Sequence, residues 1–179
     1  MALIETKEIA KGLLPTVIVF VTDGALYFSD WIMGWNTNQE GRLWKLDVPG
    51  EENAAARVET KRLLGSDFTE TPIDQLTTYL ANDDMRVRQK AQFELVKRDK
   101  KGLATLNEVA KSSTNQLARV HAIWGIGQFA RKKGENAASL VALLSDKDDE
   151  IKAQAAKIIG DVRYWGASDE LLGLLKHPS

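Results

Sequence analysis

Three basic side chains, Arg88, Arg119 and Lys152, recur along the chain at nearly equal intervals. Each follows an apolar run and a turn containing Asp or Asn, and each comes three residues before an alanine. Such side chains can pair with carboxylates, or donate hydrogen bonds to carbonyl groups, in the turn of an adjacent unit. Partly exposed pairs contribute little, typically under about 1 kcal/mol each. Two interpretations follow: the basic residues fix the register between repeats, or they are solvated surface charges.

Other side chains that could do chemistry are few. The chain has no cysteine, which excludes a disulfide, a thiolate zinc site and a covalently attached c-type haem. Its two histidines, His121 and His177, are not paired at helical spacing, and a structural hydrogen bond is the favoured role for His121 beside Trp124. The sequence therefore predicts no catalytic residue, no cofactor and no metal site.

Two carboxylates and three tryptophans within residues 1–50 have alternative roles. Asp23 and Asp30 flank a predicted strand and could contribute to a calcium site, but turn and capping roles are favoured because calcium needs about 6 to 8 oxygen ligands. Trp31, Trp35 and Trp44 could form a platform for a sugar ring. A local core, or a surface that packs on further sheets, is the favoured role for these aromatic side chains.

The nearly equal spacing of the basic residues predicts stacked copies of one helical hairpin, because a period of roughly 20 to 50 residues is typical of repeat architectures. The second helix of each unit would begin at an N-cap, at Asp84, Asn115 and Asp148. Its buried stripe follows i, i+4 spacing in three sets, which are Val87-Ala91-Leu95, Ala118-Ala122-Ile126 and Ile151-Ala155-Ile159. A fourth unit begins at Ser168 and contains only a first helix.

Glycines recur with a similar period. Gly102, Gly134 and Gly166 are evenly spaced along the sequence, and we expect each of them to close a unit. Gly125 and Gly127 lie within a predicted helix and indicate close helix packing. They do not predict a phosphate-binding loop, because no strand precedes them.

Residues 1–50 follow a different pattern. Residues 16–21 form a β-branched apolar run, Asp23-Gly24 is a strong hairpin signal, and residues 41–48 alternate apolar and polar side chains before Pro49-Gly50. The pattern predicts a three-stranded antiparallel meander over residues 1–50, followed by a linker helix within 51–70 and the helical repeats over 71–179.

Composition limits the classes of partner. Apolar residues make up 44% of the chain, charged residues 27%, and the net charge is −1, so nucleic acid is not an expected partner. The longest uninterrupted apolar run, 17–21, is far shorter than the roughly 20 residues of a membrane span. Acidic residues among the first basic ones also argue against a signal peptide. Composition alone leaves the localisation unknown.

The third unit resembles the HEAT-like family of α-solenoid repeats. The resemblance rests on Leu143-Leu144, the turn residue Asp146, Ile151-Lys152, Ala155 and Ile159-Gly160. It implies a mainly α fold, an α-solenoid of three repeats plus a half repeat, with the small β meander in front. The other units depart from the family pattern at the turn aspartate, where the first has Asn82 and the second has Ser113.

Residues 23–31 and 41–45 resemble the closing blade of a β-propeller of the glucose/sorbosone dehydrogenase type. The order of blade and repeats is similar to the large membrane-bound dehydrogenase-like or haem-binding proteins of planctomycete-like bacteria. That resemblance implies a periplasmic or cell-envelope location and a quinone-dependent dehydrogenase as the full-length parent. A propeller needs roughly 4 to 8 blades and this chain has at most one, so no quinone site is carried over.

These observations favour a noncatalytic module for protein–protein or interdomain interaction, and we expect it to be a fragment of a larger protein. Its interaction residues would be Arg88, Arg119, Lys152 and three glutamines expected to be exposed, namely Gln89, Gln92 and Gln154. The alternative is the C-terminal part of a propeller-type sugar or alcohol dehydrogenase that is inactive alone. A weaker analogy is to the HEAT-like subunits of bilin lyases, but the sequence shows no residue suited to a chromophore.

The expected partner is another protein or the missing propeller domain, and self-association is a further possibility. A three-stranded meander without a second sheet leaves one apolar face uncovered. We expect it to fold back on the linker helix near 54–64 or to pair with another copy of the chain. The final leucines, Leu171, Leu172, Leu174 and Leu175, would form an uncapped end of the repeat stack.

Overall fold

The computed structural model describes residues 11–32 and 40–178. These residues are mainly helical and include a small three-stranded antiparallel sheet, which confirms the predicted fold class at that level. The chain divides into two compact units, Met1–Gly65 and Ser66–Ser179. Within the described residues, none of the helices is both long and apolar enough to cross a lipid bilayer.

The first unit contains the predicted meander. Its strands are β1 (Pro15–Phe20), β2 (Leu26–Asp30) and β3 (Arg42–Leu46), paired antiparallel in the order β1-β2-β3. The hairpin signal between β1 and β2 forms a tight turn in which Gly24 has a φ of 78° and Asp23 Oδ1 accepts a hydrogen bond from the backbone N of Ala25. A positive φ favours glycine, which explains the residue found there.

One face of this sheet is apolar. The register places six side chains on it, which are Ile18, Phe20, Leu26, Phe28, Trp44 and Leu46. Ile18 is 62% exposed and Phe20 is 61% exposed, so the expectation that residues near 54–64 cover this face is wrong among the described residues. Helix α1 (Ala55–Gly65) instead touches the sheet at its end, where Arg57 Nη1 lies 2.6 Å from Asp47 Oδ1.

The second unit is a series of helices. They are α2 (Ile73–Tyr79), α3 (Met85–Lys97), α4 (Asp99–Ser112), α5 (Gln116–Lys132), a 3₁₀ helix (Gly134–Ser145), α6 (Asp149–Asp161), a short 3₁₀ turn (Trp165–Ala167) and α7 (Ser168–Leu174). From α2 to α6 each successive pair packs together, and α5 also packs against both α3 and α6. The first helix of the third repeat is thus a 3₁₀ helix, a geometry that the apolar spacing did not reveal.

The second helices begin where the sequence predicts. In each repeat the cap side chain accepts a hydrogen bond from a backbone N in the first turn: Asp84 from Arg86, Asn115 from Ala118, and Asp148 from Glu150. Two residues before each cap, a second polar side chain accepts from the backbone N of the cap residue, and these are Asn82, Ser113 and Asp146. The turn therefore has one hydrogen-bond scheme in all three repeats, although its residue types differ.

The predicted stripes form the core of the second unit. All nine stripe residues are at most 2% exposed, which confirms the assignment. Alanine at the centre of each stripe lets neighbouring helices approach closely. Gly125 and Gly127 act in the same way, because an added Cβ would lie 2.7 Å from Leu106 Cδ1 and 2.8 Å from Ile158 Cδ1, respectively.

The repeated glycines do not all close a unit. Gly102 lies inside α4, where an added Cβ would be only 1.7 Å from the carbonyl oxygen of Leu95. Helices α3 and α4 follow each other with almost no loop, and Asp99 between them has a φ of 50°. Gly102 is therefore required by the close approach of two helices, and the expectation that it ends a repeat is wrong.

The last repeat ends in an exposed apolar surface. Helix α7 has no buried residue, and Leu172 and Leu175 are 61% and 80% exposed. Trp165, in the short 3₁₀ turn before α7, is 81% exposed.

Candidate functional site

Arg119 connects two repeats. Its Nη2 and Nη1 atoms lie 2.5 Å and 3.2 Å from the two carboxylate oxygens of Asp146, in the turn of the next repeat, and its Nε donates to the carbonyl of Ala110 at 2.8 Å. The Arg119 guanidinium lowers the pKa of Asp146 below its usual value. Arg119 is only 7% exposed, so the expectation of a partly exposed or solvated side chain is wrong here.

Arg88 occupies the equivalent place in the first repeat but binds differently. Its Nη1 donates to the carbonyl oxygens of Asn82 and Asp83 at 2.6 Å and 2.8 Å, in the turn of its own repeat. The next repeat has Ser113 where the third has an aspartate, so no carboxylate is available to Arg88 at that position. Arg88 is 7% exposed, and its Nε has no hydrogen-bond partner among the described residues.

Lys152 is the equivalent residue of the third repeat, and its side-chain contacts differ from those of Arg88 and Arg119. Its Nζ lies 2.7 Å from Asp149 Oδ1 on the same helix and 2.9 Å from His177 Nε2, which follows α7. The three basic residues thus lie at equivalent points of successive repeats, while Arg119 alone among them pairs with the turn aspartate of the next repeat.

The three glutamines have different environments. Gln89 is exposed and Gln154 is half-buried, but Gln92 is only 3% exposed, which corrects the expectation that it lies on the surface. Gln92 is buried because α5 of the next repeat packs against α3, and its Oε1 lies 2.8 Å from His121 Nδ1. The burial of Gln92 depends on the neighbouring repeat, so its own sequence context could not reveal it.

His121 makes the structural hydrogen bond that the sequence predicts. Burial, and then the charge of Arg88, lower the pKa of His121 to about 4, so the ring is neutral near pH 7. A neutral ring carrying its proton on Nδ1 donates to the oxygen of Gln92. The His121 ring also meets the ring of Trp124 edge-on, with centroids 4.9 Å apart.

The exposed sides of the second helices form a surface that we call the second-helix face, defined by Phe93, Trp124, Gln128, Arg131 and Lys157. A depression of about 250 Å³ lies on it, lined by Gln92, Trp124, Gln128, Arg131, Lys157 and Ile158. Phe93 is 44% exposed and Trp124 is 37% exposed, so each aromatic side chain presents part of its apolar surface to solvent.

Sequence reasoning missed this aromatic pair, although a signal was present. Phe93, Trp124 and Lys157 each come five residues after the repeated basic residue. They therefore share one position of the repeat, close to the buried stripe on the helix surface. The repeat alignment that located the basic residues could also have located this exposed row.

The comparisons with known proteins agree with the helical geometry. Residues 103–179 match the family model for HEAT repeats. The matched residues extend from within α4 through α7 and include the Arg119–Asp146 pair. The repeat of α2 and α3 has the same cap and turn hydrogen bonds but precedes the matched residues. No curated protein and no solved structure matches the chain.

In the first unit, the two candidate calcium ligands accept hydrogen bonds within the sheet and its turn. Asp30 accepts hydrogen bonds from the backbone N of Leu14 at 2.9 Å and from Trp44 Nε1 at 3.1 Å, and these bonds lower its pKa. Asp23 accepts from Ala25 and Tyr27. No cluster of three or more His, Cys, Asp or Glu side chains suited to a metal ion occurs in residues 11–32 and 40–178.

The proposed tryptophan platform is only partly observable. Trp44 is 38% exposed and stacks on Phe28 at 6.5 Å between centroids, so it belongs to the apolar sheet face. Trp31 is 43% exposed at the end of β2. Trp35 lies outside the described residues.

Proposed function

We propose that the chain is a noncatalytic HEAT-repeat module that binds another protein, or a neighbouring domain, through the second-helix face. HEAT repeats generally mediate protein–protein interaction. The observation that carries the proposal is the exposed pair Phe93 and Trp124, at the same position of consecutive repeats. Exposed aromatic side chains are enriched at protein interfaces, where a few such anchors carry most of the binding energy.

The proposal includes an α-solenoid arrangement of three repeats and a half repeat. The packing of α5 against both α3 and α6 supports it, because successive second helices are neighbours in a solenoid. Arg119, and to a lesser degree Lys152, would fix the register between repeats, while Arg88 holds the turn of its own repeat. Gln89 and Gln154 would contribute polar contacts at the rim of the interface.

The absence of catalysis is part of this proposal. HEAT repeats are typically noncatalytic, and the recurring stripe and cap side chains of this chain serve packing and turns. His121, the most perturbed titratable side chain of the second unit, is buried and bonded to Gln92. These contacts give it a structural role between α3 and α5.

The test is capture of proteins from a cell extract by the full chain and its single variants. We expect Trp124→Ala and Phe93→Ala to lose a specific bound protein. Trp165→Ala is the matched control, because Trp165 is more exposed than Trp124 and lies outside the second-helix face. Loss of capture with Trp165→Ala and retention with Trp124→Ala would contradict the proposal.

A second candidate concerns the first unit. The exposed apolar sheet face, with Ile18 at 62% exposure, is the surface that a propeller blade would bury against its neighbours. The chain would then belong to a glucose/sorbosone dehydrogenase-like parent and be inactive alone. Reading the coding sequence upstream of Met1 tests this: further blade motifs in frame support it, and a stop codon there opposes it. Without such blades, the occupant we propose for this face is a second copy of the chain.

A further inference from the structure

The depression on the second-helix face has a basic and amide lining. Arg131 and Lys157 supply the two cations, and Gln92 and Gln128 supply amide groups, while none of the lining residues is a carboxylate. Lys157 Nζ lies 2.8 Å from Asp161 Oδ2. Arg131 is exposed in the last turn of α5. The charge of the depression therefore complements an acidic ligand.

Gln92 adds an amide group to the lining of the depression. It is 3% exposed and lines the depression, and His121 Nδ1 occupies its Oε1. Its amide nitrogen has no partner among the described residues. An amide N–H₂ beside the depression can donate to a carbonyl or carboxylate oxygen of a ligand.

Two contacts restrict the orientation of the Trp124 side chain. Its Nε1 donates to Gln154 Oε1 at 2.7 Å, and the His121 ring meets it edge-on. The polar edge of the indole is thus satisfied and its orientation is restricted, so binding at the ring face costs little side-chain entropy. Phe93 repeats this exposed position one repeat earlier.

The spacing of the two aromatic residues sets the shape of the ligand. Neighbouring packed helices lie about 8–10 Å apart. A peptide in the extended polyproline II conformation advances about 3.1 Å per residue and has three residues per turn, so side chains three positions apart lie on one face and span about 9 Å. An extended segment crossing α3 and α5 could therefore place two apolar side chains, at i and i+3, against Phe93 and Trp124.

We propose that the second-helix face binds an extended acidic peptide segment, with two apolar side chains on Phe93 and Trp124 and a carboxylate on Arg131 and Lys157. This inference rests on the proposed function and specifies the chemistry of the partner. It makes the interaction sensitive to salt, because the carboxylate contacts are partly exposed.

The test is selection of ten-residue peptides from a random displayed library on the full chain. We expect enrichment of sequences with Asp or Glu beside apolar residues three positions apart. Arg131→Glu and Lys157→Glu should weaken their binding roughly tenfold or more, as expected for loss of charge-assisted hydrogen bonds. Lys111→Glu, at an exposed cation on first helix α4, is the matched control and should leave binding unchanged.

The opposite results separate this inference from the proposed function. Selection of no peptide, or of neutral or basic peptides, overturns the acidic ligand, and so does unchanged binding by Arg131→Glu. If Trp124→Ala still loses a captured protein while Arg131→Glu keeps it, the interaction module stands and only the acidic chemistry fails. If Trp124→Ala also keeps its captured protein, the interaction module itself fails.

Discussion

Both carboxylate oxygens of Asp146 accept hydrogen bonds from the guanidinium of Arg119, across the boundary between the second and third repeats. The side chains of Arg119 and Asp146 are 9% and 15% exposed, so the pair is largely removed from water. Asp146 also accepts a hydrogen bond from the backbone N of Asp148 and thereby shapes the turn before α6. One carboxylate thus closes a turn and joins two repeats.

Replacement of Asp146 should therefore destabilise the second unit strongly. Asp146→Asn keeps an acceptor for the turn but leaves the buried Arg119 charge without a counter-ion. We expect the free energy of unfolding, measured by urea denaturation, to fall by roughly 3 kcal/mol, since breaking a buried ion pair on one side is costly.

A surface pair provides the control for that experiment. Lys133 and Glu135 lie 3.1 Å apart with side chains 70% and 79% exposed. Lys133→Ala should change the free energy of unfolding by less than about 1 kcal/mol. Equal effects of Asp146→Asn and Lys133→Ala would show that the Arg119–Asp146 pair contributes no more than a surface pair.

His121 should make stability depend on pH below neutrality. Its pKa is about 4 in the folded chain, against an ordinary histidine pKa of 6.5, so the unfolded chain binds the proton more readily. The stabilisation from neutral His121 is therefore complete above pH 6.5 and is lost as the pH falls toward 4, by up to about 3 kcal/mol. Denaturant titrations at several pH values measure this loss.

His121→Gln is the matched variant, because glutamine can still bond Gln92 but does not titrate. We expect its free energy of unfolding to be flatter between pH 6.5 and 4 than that of the wild type. The contribution of Asp146 to stability depends on pH over a lower pH range. Its pKa is lowered in the folded chain, so its stabilisation is lost only as the pH falls through and below the ordinary pKa of aspartate. If the free energy of unfolding of His121→Gln varies with pH as steeply as that of the wild type, a group other than His121 causes the pH dependence.

Glycines in different helices of the repeats should tolerate alanine very differently. Gly102→Ala would set a Cβ 1.7 Å from a backbone oxygen that cannot move without shifting α3. We expect this variant to fold poorly or to lose more than about 3 kcal/mol of stability. Gly160→Ala on α6 meets no atom within 4 Å and should gain up to about 1 kcal/mol, from helix propensity. Thermal melting of both variants measures the contrast, and similar melting temperatures would contradict it.

The features predicted from sequence are those set by local chemistry. Caps such as Asp84 and Asn115, and stripes such as Val87-Ala91-Leu95, depend on hydrogen bonds and spacing within one helix, and all of them are confirmed. Their chemistry is readable because each is specified by residues a few positions apart. The β hairpin at Asp23-Gly24 was readable for the same reason.

Features that depend on a neighbouring helix were not readable in this way. Arg88 bonds its own turn because Ser113 replaces a carboxylate one repeat away, and Gln92 is buried only because α5 covers it. Gly102 resembled a terminal glycine until the approach of Leu95 showed its role. Each of these outcomes is decided by packing between different helices, which no pattern within a single helix specifies.

The apolar sheet face gives a prediction about self-association. Ile18 and Phe20 are more exposed than large apolar side chains on stable monomers usually are in a contiguous patch. If a second copy covers this face, the chain should sediment as a dimer, and Ile18→Lys should convert it to a monomer by placing a charge in the interface. Leu175→Lys, at the exposed end of the repeats, is the matched control and should leave the dimer intact. A monomeric wild-type chain whose sheet is readily cleaved by protease would show that neither a second copy nor any part of the chain protects the sheet. Dissociation by Leu175→Lys alone would instead place the contact at the end of α7.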